Sequence, residues 1–421
     1  MSAVITGLGV ISPFGLGAEA YWSATLEAAN AVAPITRFDG GRYATGVAGE
    51  LTEFEPRAHL PARLLPQTDR VTQFALVAAQ EALDDAQLSP DDLAGYSAAV
   101  VTANNGGGFE FAQKEMQALW AQGPDHVSAY QSFAWFYAVN SGQISIQHGM
   151  KGSGRALVAD DAGGMETIGQ ARRQLRFATA DSGVDGCRIV LAGAVDTNAC
   201  PWGWSAYTSA GLMTAGADPD TAYRPFSPGA SGFVSGEGGA LLTVQPDRAS
   251  DGTRPHRRYA EIAGFASTFD GRGAPGAGLE RAIRRALADA EAGPEEVDVI
   301  FADGFGTADM DEQEVRAITA VFGAGTVPVT VPKAGIGRVG CGSGALDIAT
   351  ACLALRAGVI PPTRDYPRSL RARDLDIPTS PVPADLGAAL VLSRGRGGFN
   401  SATLLRRPSS AVAVANSATK R

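Results

Sequence analysis

Leu157-Val158-Ala159-Asp160-Asp161-Ala162-Gly163-Gly164-Met165 reads as a strand, a tight turn and the start of a helix. A cysteine at such a turn sits in the partial positive field of the helix N-terminus, which favours the thiolate. This chain carries Asp161 there instead. A carboxylate is stabilised by the same field but cannot hold an acyl group as a thioester. The frame of a reactive site is therefore expected without its nucleophile.

On either side of that stretch, short apolar runs alternate with amphipathic ones. Strands are expected over 98–104, 155–160, 188–195, 239–244, 297–303 and 388–393, with helices over 18–28, 71–86, 165–180, 279–292, 311–322 and 344–358. The alternation predicts an α/β protein whose sheets are covered by helices. An internal repeat points to two similar halves. Ala82-Leu83-Asp84-Asp85-Ala86 with Pro90-Asp91-Asp92-Leu93 recurs, 204 residues on, as Ala286-Leu287-Ala288-Asp289-Ala290 with Pro294-Glu295-Glu296-Val297. The halves are expected at 1–250 and 251–407, joined through the Pro-, Asp-, Gly- and Arg-rich stretch 245–258. Residues 408–421 are small and polar, without a core pattern, and read as a mobile tail.

With 421 residues, 45% hydrophobic and 19% charged, the chain has the composition of a soluble globular protein. Its net charge of −9 argues against nonspecific nucleic-acid binding. The sequence enters an apolar run at Ala3-Val4-Ile5-Thr6 with no signal-type segment, and no run is long enough to span a bilayer, so a cytoplasmic location is expected. Cys187, Cys200, Cys341 and Cys352 form no CxxC pair, which speaks for free buried thiols rather than metal or disulfide chemistry. Gly7-Leu8-Gly9 follows a strand, but position 12 is serine, so a dinucleotide loop is not expected. The cluster Trp135-Phe136-Tyr137 has no basic flank and is expected in a core or an interface. No metal site and no directly bound cofactor are expected.

Several blocks together resemble the β-ketoacyl synthases of the thiolase superfamily: Ile5-Thr6-Gly7-Leu8-Gly9-Val10, Asp69-Arg70-Val71-Thr72-Gln73-Phe74-Ala75, Arg224-Pro225-Phe226-Ser227, Gly232-Phe233-Val234-Ser235-Gly236-Glu237-Gly238-Gly239 and Gly397-Gly398-Phe399-Asn400-Ser401-Ala402. They span nearly the whole chain. The closer resemblance is to the chain length factors, or ketosynthase-β subunits, of bacterial type II polyketide synthases. It is carried by Phe109-Glu110-Phe111, the segment from Ser132 to Asn140, Pro201-Trp202-Gly203-Trp204, and Val331-Pro332-Lys333 with Gly337-Arg338.

The resemblance implies a thiolase-type fold, two similar α/β halves packed as a layered αβαβα structure. It also implies lost chemistry. A condensing synthase uses a cysteine to hold the growing chain and two histidines to stabilise the enolate formed on decarboxylation. The cysteine position is Asp161, and the histidine positions are Asp303 and Arg338; no histidine lies beyond residue 256. A carboxylate about 4 Å from an enolate costs roughly 4 kcal/mol at an effective dielectric of about 20, about a thousandfold in rate. Cys341, in a Gly-rich stretch, is the one cysteine considered as a replacement nucleophile, against loop packing. Asp161, Asp303, Lys333 and Arg338 are expected to meet as a charge-balanced network filling the old site. Chain length factors commonly carry glutamine where Asp161 stands, and that glutamine is tied to priming by malonyl decarboxylation. An anion there would repel a malonyl carboxylate, so packing is the preferred role.

In such a family the β subunit pairs with a ketosynthase-α subunit that retains Cys-His-His. It shapes an interface tunnel for the polyketide, whose units arrive on the phosphopantetheine arm of an acyl carrier protein. The helix after Gly106-Gly107-Gly108 is the family's gate region. Phe109, Ala112 and Met116 share one helical face there and are expected to line the tunnel. Ala112 is small and Met116 flexible, which points to a longer tunnel and a longer product than two bulky aromatics would allow. Two other readings are a malonyl-thioester decarboxylase acting through Asp161 and a purely structural scaffold.

Overall fold

The computed structural model describes residues 2–177, 187–247, 255–271, 276–364 and 374–408. The junction expected at 250–251 and the tail from 409 onward lie outside the described residues. In the first half, the helices of nine or more residues and the strands of the main sheet's path are β1 (Ala3–Ser12), α1 (Ala18–Leu26), α2 (Arg70–Asp85), β2 (Ala98–Ala103), α3 (Phe109–Gln122), α4 (Val139–His148), β3 (Gly154–Leu157), α5 (Gly163–Phe177), β4 (Ile189–Asp196), α6 (Pro201–Ser209) and β5 (Gly238–Pro246). The second half contributes β6 (Ala260–Phe269), α7 (Ala277–Asp289), β7 (Val299–Phe301), α8 (Ala308–Phe322), β8 (Val329–Thr330), α9 (Gly342–Ala357), β9 (Ala388–Arg394) and β10 (Phe399–Arg406).

The strands run in the order β3-β2-β4-β5-β1 and then β6-β10-β9-β7-β8. Read from the outer edge of each half inward, both orders are the third, second, fourth, fifth and first strand of that half. The pairings match as well. The two outer pairings of each half are parallel and the next two antiparallel. The halves meet where β1 pairs antiparallel with β6 at Val4 and Ile5.

The sequence repeat has a physical counterpart. The ladder slips between Ile5 and Gly7 in β1, and between Ile262 and Gly264 in β6. At each bulge the backbone approaches a helix so closely that a Cβ on the glycine would lie 2.1 Å from the Ala82 carbonyl or 2.0 Å from the Ala286 carbonyl. The N–H groups of Leu8 and Phe265, next along the strands, donate to Asp85 and Asp289, each at 2.9 Å. Ala82 with Asp85 and Ala286 with Asp289 are the repeated residues, so each pair seats a helix on a bulged strand. Gly7 and Gly9 thereby serve helix packing; a Cβ on Gly9 would lie 1.8 Å from the Ala78 carbonyl.

Layering follows from hydrophobicity. α2 and α4 cover the outer face of the first sheet, and α7 and α8 that of the second. α5 and α9 lie between the sheets. In α9 every residue from Gly342 to Leu355 is buried, as a central layer requires. β1 is likewise buried along its whole length, because both of its faces carry helices.

The candidate active site

The turn after β3 keeps its strained form. Asp160 sits at φ +48°, in the left-handed region that non-glycine residues seldom adopt. Arg396 holds it there: its backbone N–H and its guanidinium both donate to the Asp160 carboxylate, the Nη2 to Oδ1 distance being 2.9 Å. Two glycines then open α5. A Cβ on Gly164 would lie 2.3 Å from the Cys341 carbonyl, so α5 starts in contact with the loop before α9. Asp161 stands at the apex, 2% exposed, its Oδ1 accepting from Asn105 Nδ2 at 3.1 Å.

Arg338 fills the space in front of it. The guanidinium pairs with Asp303 Oδ2 at 2.9 Å through Nη1 and with Asp161 Oδ2 at 3.1 Å through Nη2. It also donates to the backbone carbonyls of Asp303 and Arg394. Its central carbon lies 4.4 Å from the centroid of the Phe305 ring, and Phe233 lies slightly farther off. Asp161 and Asp303 are thus joined through the guanidinium of Arg338, which is 1% exposed.

The expected four-membered network divides in two. Lys333 pairs with Asp347 of α9 at 2.5 Å, and reaches Asp303 only through the backbone carbonyls of Ala302 and Asp303, each at 3.0 Å. The reason is geometric: Arg338 already occupies the inner faces of both other carboxylates. Glu314 accepts from the backbone N–H groups of Asp303 and Gly304, and Asp311 from those of Phe226 and Gly306. These acids of α8 hold the loop that carries Asp303. None of Asp347, Glu314 or Asp311 was singled out from the sequence. A lone aspartate in the apolar run of α9 signals a buried partner, whereas acids on an amphipathic helix look like solvated ones.

Burial pushes the Asp161 carboxyl up to about 6, although Arg338 opposes it. Burial acts on Asp303 too, but Arg338 and Lys333 outweigh it and hold that carboxyl below its ordinary range. Asp303 is therefore the firmly ionised partner of Arg338. Cys341 is fully buried, and its thiol is driven well above its ordinary value by burial and by Asp196. A thiol so placed is a core residue and not a substitute nucleophile. Among the described residues no group of His, Cys, Asp or Glu has the makings of a metal site.

A pocket of about 640 Å³ lies beside this centre, lined in part by Phe305, Met310, Arg394 and Arg396. A second, of the same volume and almost wholly apolar, lies along α3, lined by Gln113, Met116, Gln117, Trp120, Ala121 and Trp202. Of the three residues expected at the gate, Met116 lines this groove. Phe109 packs against Trp202, their ring centroids 5.7 Å apart, and Ala112 is buried at 2% exposure. The groove-facing strip is turned by about one residue from the face expected. Trp120 is 81% exposed, and Trp135, Phe136, Tyr137, Ile146, Val158 and Phe177 are exposed as well.

Family models for the N-terminal domain of β-ketoacyl synthases match residues 2–249, and those for the C-terminal domain match residues 259–367. The chain is 50% identical to the actinorhodin polyketide β-ketoacyl synthase 2 of Streptomyces coelicolor, over 97% of this chain and 99% of the relative. It is 47% identical to the tetracenomycin polyketide synthase ketoacyl synthase β subunit of Streptomyces glaucescens, over 96% and 98%. Among solved structures it superposes on the ishigamide ketosynthase/chain length factor with a TM-score of 0.85 at 28% identity, covering 97% of this chain and 99% of that one. It also superposes on a type II polyketide synthase acyl carrier protein in complex with its ketosynthase bound to the hexaketide, with a TM-score of 0.84 at 26% identity, over 97% and 99%.

Proposed function

The chain belongs to the β-ketoacyl synthase family, and we propose that within it this protein is the non-condensing, chain-length-determining subunit of a heterodimeric type II polyketide synthase. The observation that carries this reading is Arg338. It lies sealed between Asp161 and Asp303 at the positions where a condensing synthase needs a thiol and two imidazoles. With no thiolate to accept an acyl chain and a fixed carboxylate opposing an enolate, condensation falls to the partner.

That partner is a ketosynthase-α subunit. Large apolar residues stand exposed around α3, α4 and the edge strand β3, among them Trp120, Trp135, Phe136, Ile146 and Val158, and they suit a subunit interface. The growing polyketide extends from the α subunit into the groove along α3. Met116 faces it, Trp202 and Trp120 flank it, and Phe109 backs Trp202. Acyl units come on the phosphopantetheine arm of an acyl carrier protein, and this subunit holds no cofactor of its own. The sequence halves near residue 250 and a cytoplasmic location belong to the same proposal. Among the described residues no helix is long and apolar enough to cross a membrane.

Burial of Asp161 behind Arg338 and Asn105 weighs against decarboxylation through that carboxyl. The test is reconstitution with an α subunit and acyl carrier protein, fed malonyl thioester and read by mass spectrometry. Polyketide is expected only when both subunits are present. Condensation by this chain alone would overturn the reading.

A further inference from the structure

Helix α3 begins on a residue that cannot cap it. Its N-cap is Gly108, which has no side chain to offer the orphan N–H groups of the first turn. A glycine is required there by contact, since a Cβ would lie 2.3 Å from the Ala134 carbonyl and 2.9 Å from the Cβ of Asp69. The missing acceptor comes from another helix. Asp69 is the N-cap of α2, where Oδ1 accepts from Val71 N–H at 2.9 Å. Its other oxygen, Oδ2, accepts from Phe111 N–H in the first turn of α3 at 2.7 Å. One carboxylate, 3% exposed, therefore caps two helices and ties α3 to the scaffold.

The tie is anchored beneath and braced beside. Arg70, next to Asp69, pairs with the buried Glu237 at 2.7 Å and donates to the Leu51 carbonyl. Glu110 of α3 pairs with Arg37, whose Nε donates to the Ala199 carbonyl at 3.0 Å, and Gln113 accepts from Trp202 N–H. The contacts of Phe111, Glu110 and Gln113 all hold the first half of α3, while Met116 and Trp120 on the second half face the groove. A helix is stiff over two turns, so an error in seating its first turn is carried to Met116.

We propose that Asp69 is a positioning residue for product length: by capping α3 from outside, it fixes where Met116 and its neighbours stand in the groove. This rests on α3 being the gate. Asp69→Asn and Asp69→Ser are the informative variants. Asn, Asp and Ser cap a helix about equally well, so α2 keeps its cap while Phe111 N–H loses its acceptor.

The experiment uses the complex of this chain with its α subunit and acyl carrier protein, and compares product length distributions by mass spectrometry. Both variants are expected to assemble and to melt close to the parent. The ratio of the principal product to its neighbours in length should fall roughly threefold, the scale of coupling between touching groups. Adding Met116→Trp should then shorten the product less than it does in the parent. If Met116→Trp alone leaves length unchanged, the gate reading fails. If it shortens the product while both Asp69 variants keep the parental distribution, this inference alone is overturned.

Discussion

The centre around Arg338 and the groove around Trp120 are opposite in almost every respect. One is a polar site with 1% of its arginine exposed and every guanidinium face occupied; the other is an apolar strip with its tryptophan 81% exposed. In a catalytic synthase the first would be open to substrate. Here the polar side chains around Arg338 have turned on one another, while the strip along α3 stays open and almost wholly apolar. The contrast locates function away from the old chemistry, because a closed ionic site can only stabilise or destabilise, whereas an open apolar one can bind.

The contrast is broken most severely by Arg338→Met. Removing the shared cation leaves Asp303 ionised and buried, and the chain should lose about 3–5 kcal/mol of stability, measured by denaturant unfolding. An unchanged midpoint would show that the three side chains are separately satisfied. At the groove, Trp120→Glu should leave the melting temperature of the isolated chain alone and weaken association with the α subunit by about 2 kcal/mol, as for a central aromatic anchor. Calorimetric titration gives that number, and undiminished binding would remove Trp120 from the interface. Met116→Trp sharpens the comparison further, since it should shorten the product without disturbing assembly. Ala112 is the poorer test site, because it is buried and a tryptophan there would overpack the interior.

The smallest effect expected is a pH slope. The Asp161 carboxyl stands at about 6 in the folded chain against 3.8 as its ordinary value. The folded state then binds that proton more tightly than the unfolded state. Its contribution to stability is fully present below about pH 4 and is lost as the pH rises through about 6. Asp161→Asn should flatten the fall in melting temperature between about pH 4 and about pH 6. A slope identical to the parent's would assign the effect to other buried acids, such as Asp347.

Most of the architecture was legible because the layers demand it. Strands that are apolar throughout and helices that are striped or wholly apolar betray their places, and all six expected strands and six expected helices are present within a few residues of their expected ends, except that the end expected at 180 lies outside the described residues. β6 and β10 escaped notice because Ala, Gly, Ser and Thr fill much of them, which gives little hydrophobic contrast although they pair at the centre of the sheet. That Asp161, Asp303 and Arg338 meet was legible in the sequence, but the bonds among them were not. Charge counting predicts that acids meet bases, yet not that Arg338 would take two carboxylates and leave Lys333 to Asp347. At α3, helical spacing fixes which residues share a face. It does not say which face meets solvent, and so Ala112 is buried where Gln113 and Trp120 line the groove.

The strap between Arg396 and Asp160 has kept the strained turn intact, so the old frame still invites restoration. No single exchange can restore it. Asp161→Cys leaves Arg338 and Asp303 locked together in the space the acyl chain would need. Arg338→His strands the Asp303 charge, and Asp303→His sets a base against a guanidinium. The routes through Arg338 or Asp303 pass through a less stable chain before any chemistry returns. Asp161, Arg338 and Asp303 are therefore bound to change together, whereas the apolar strip along α3 can change one residue at a time.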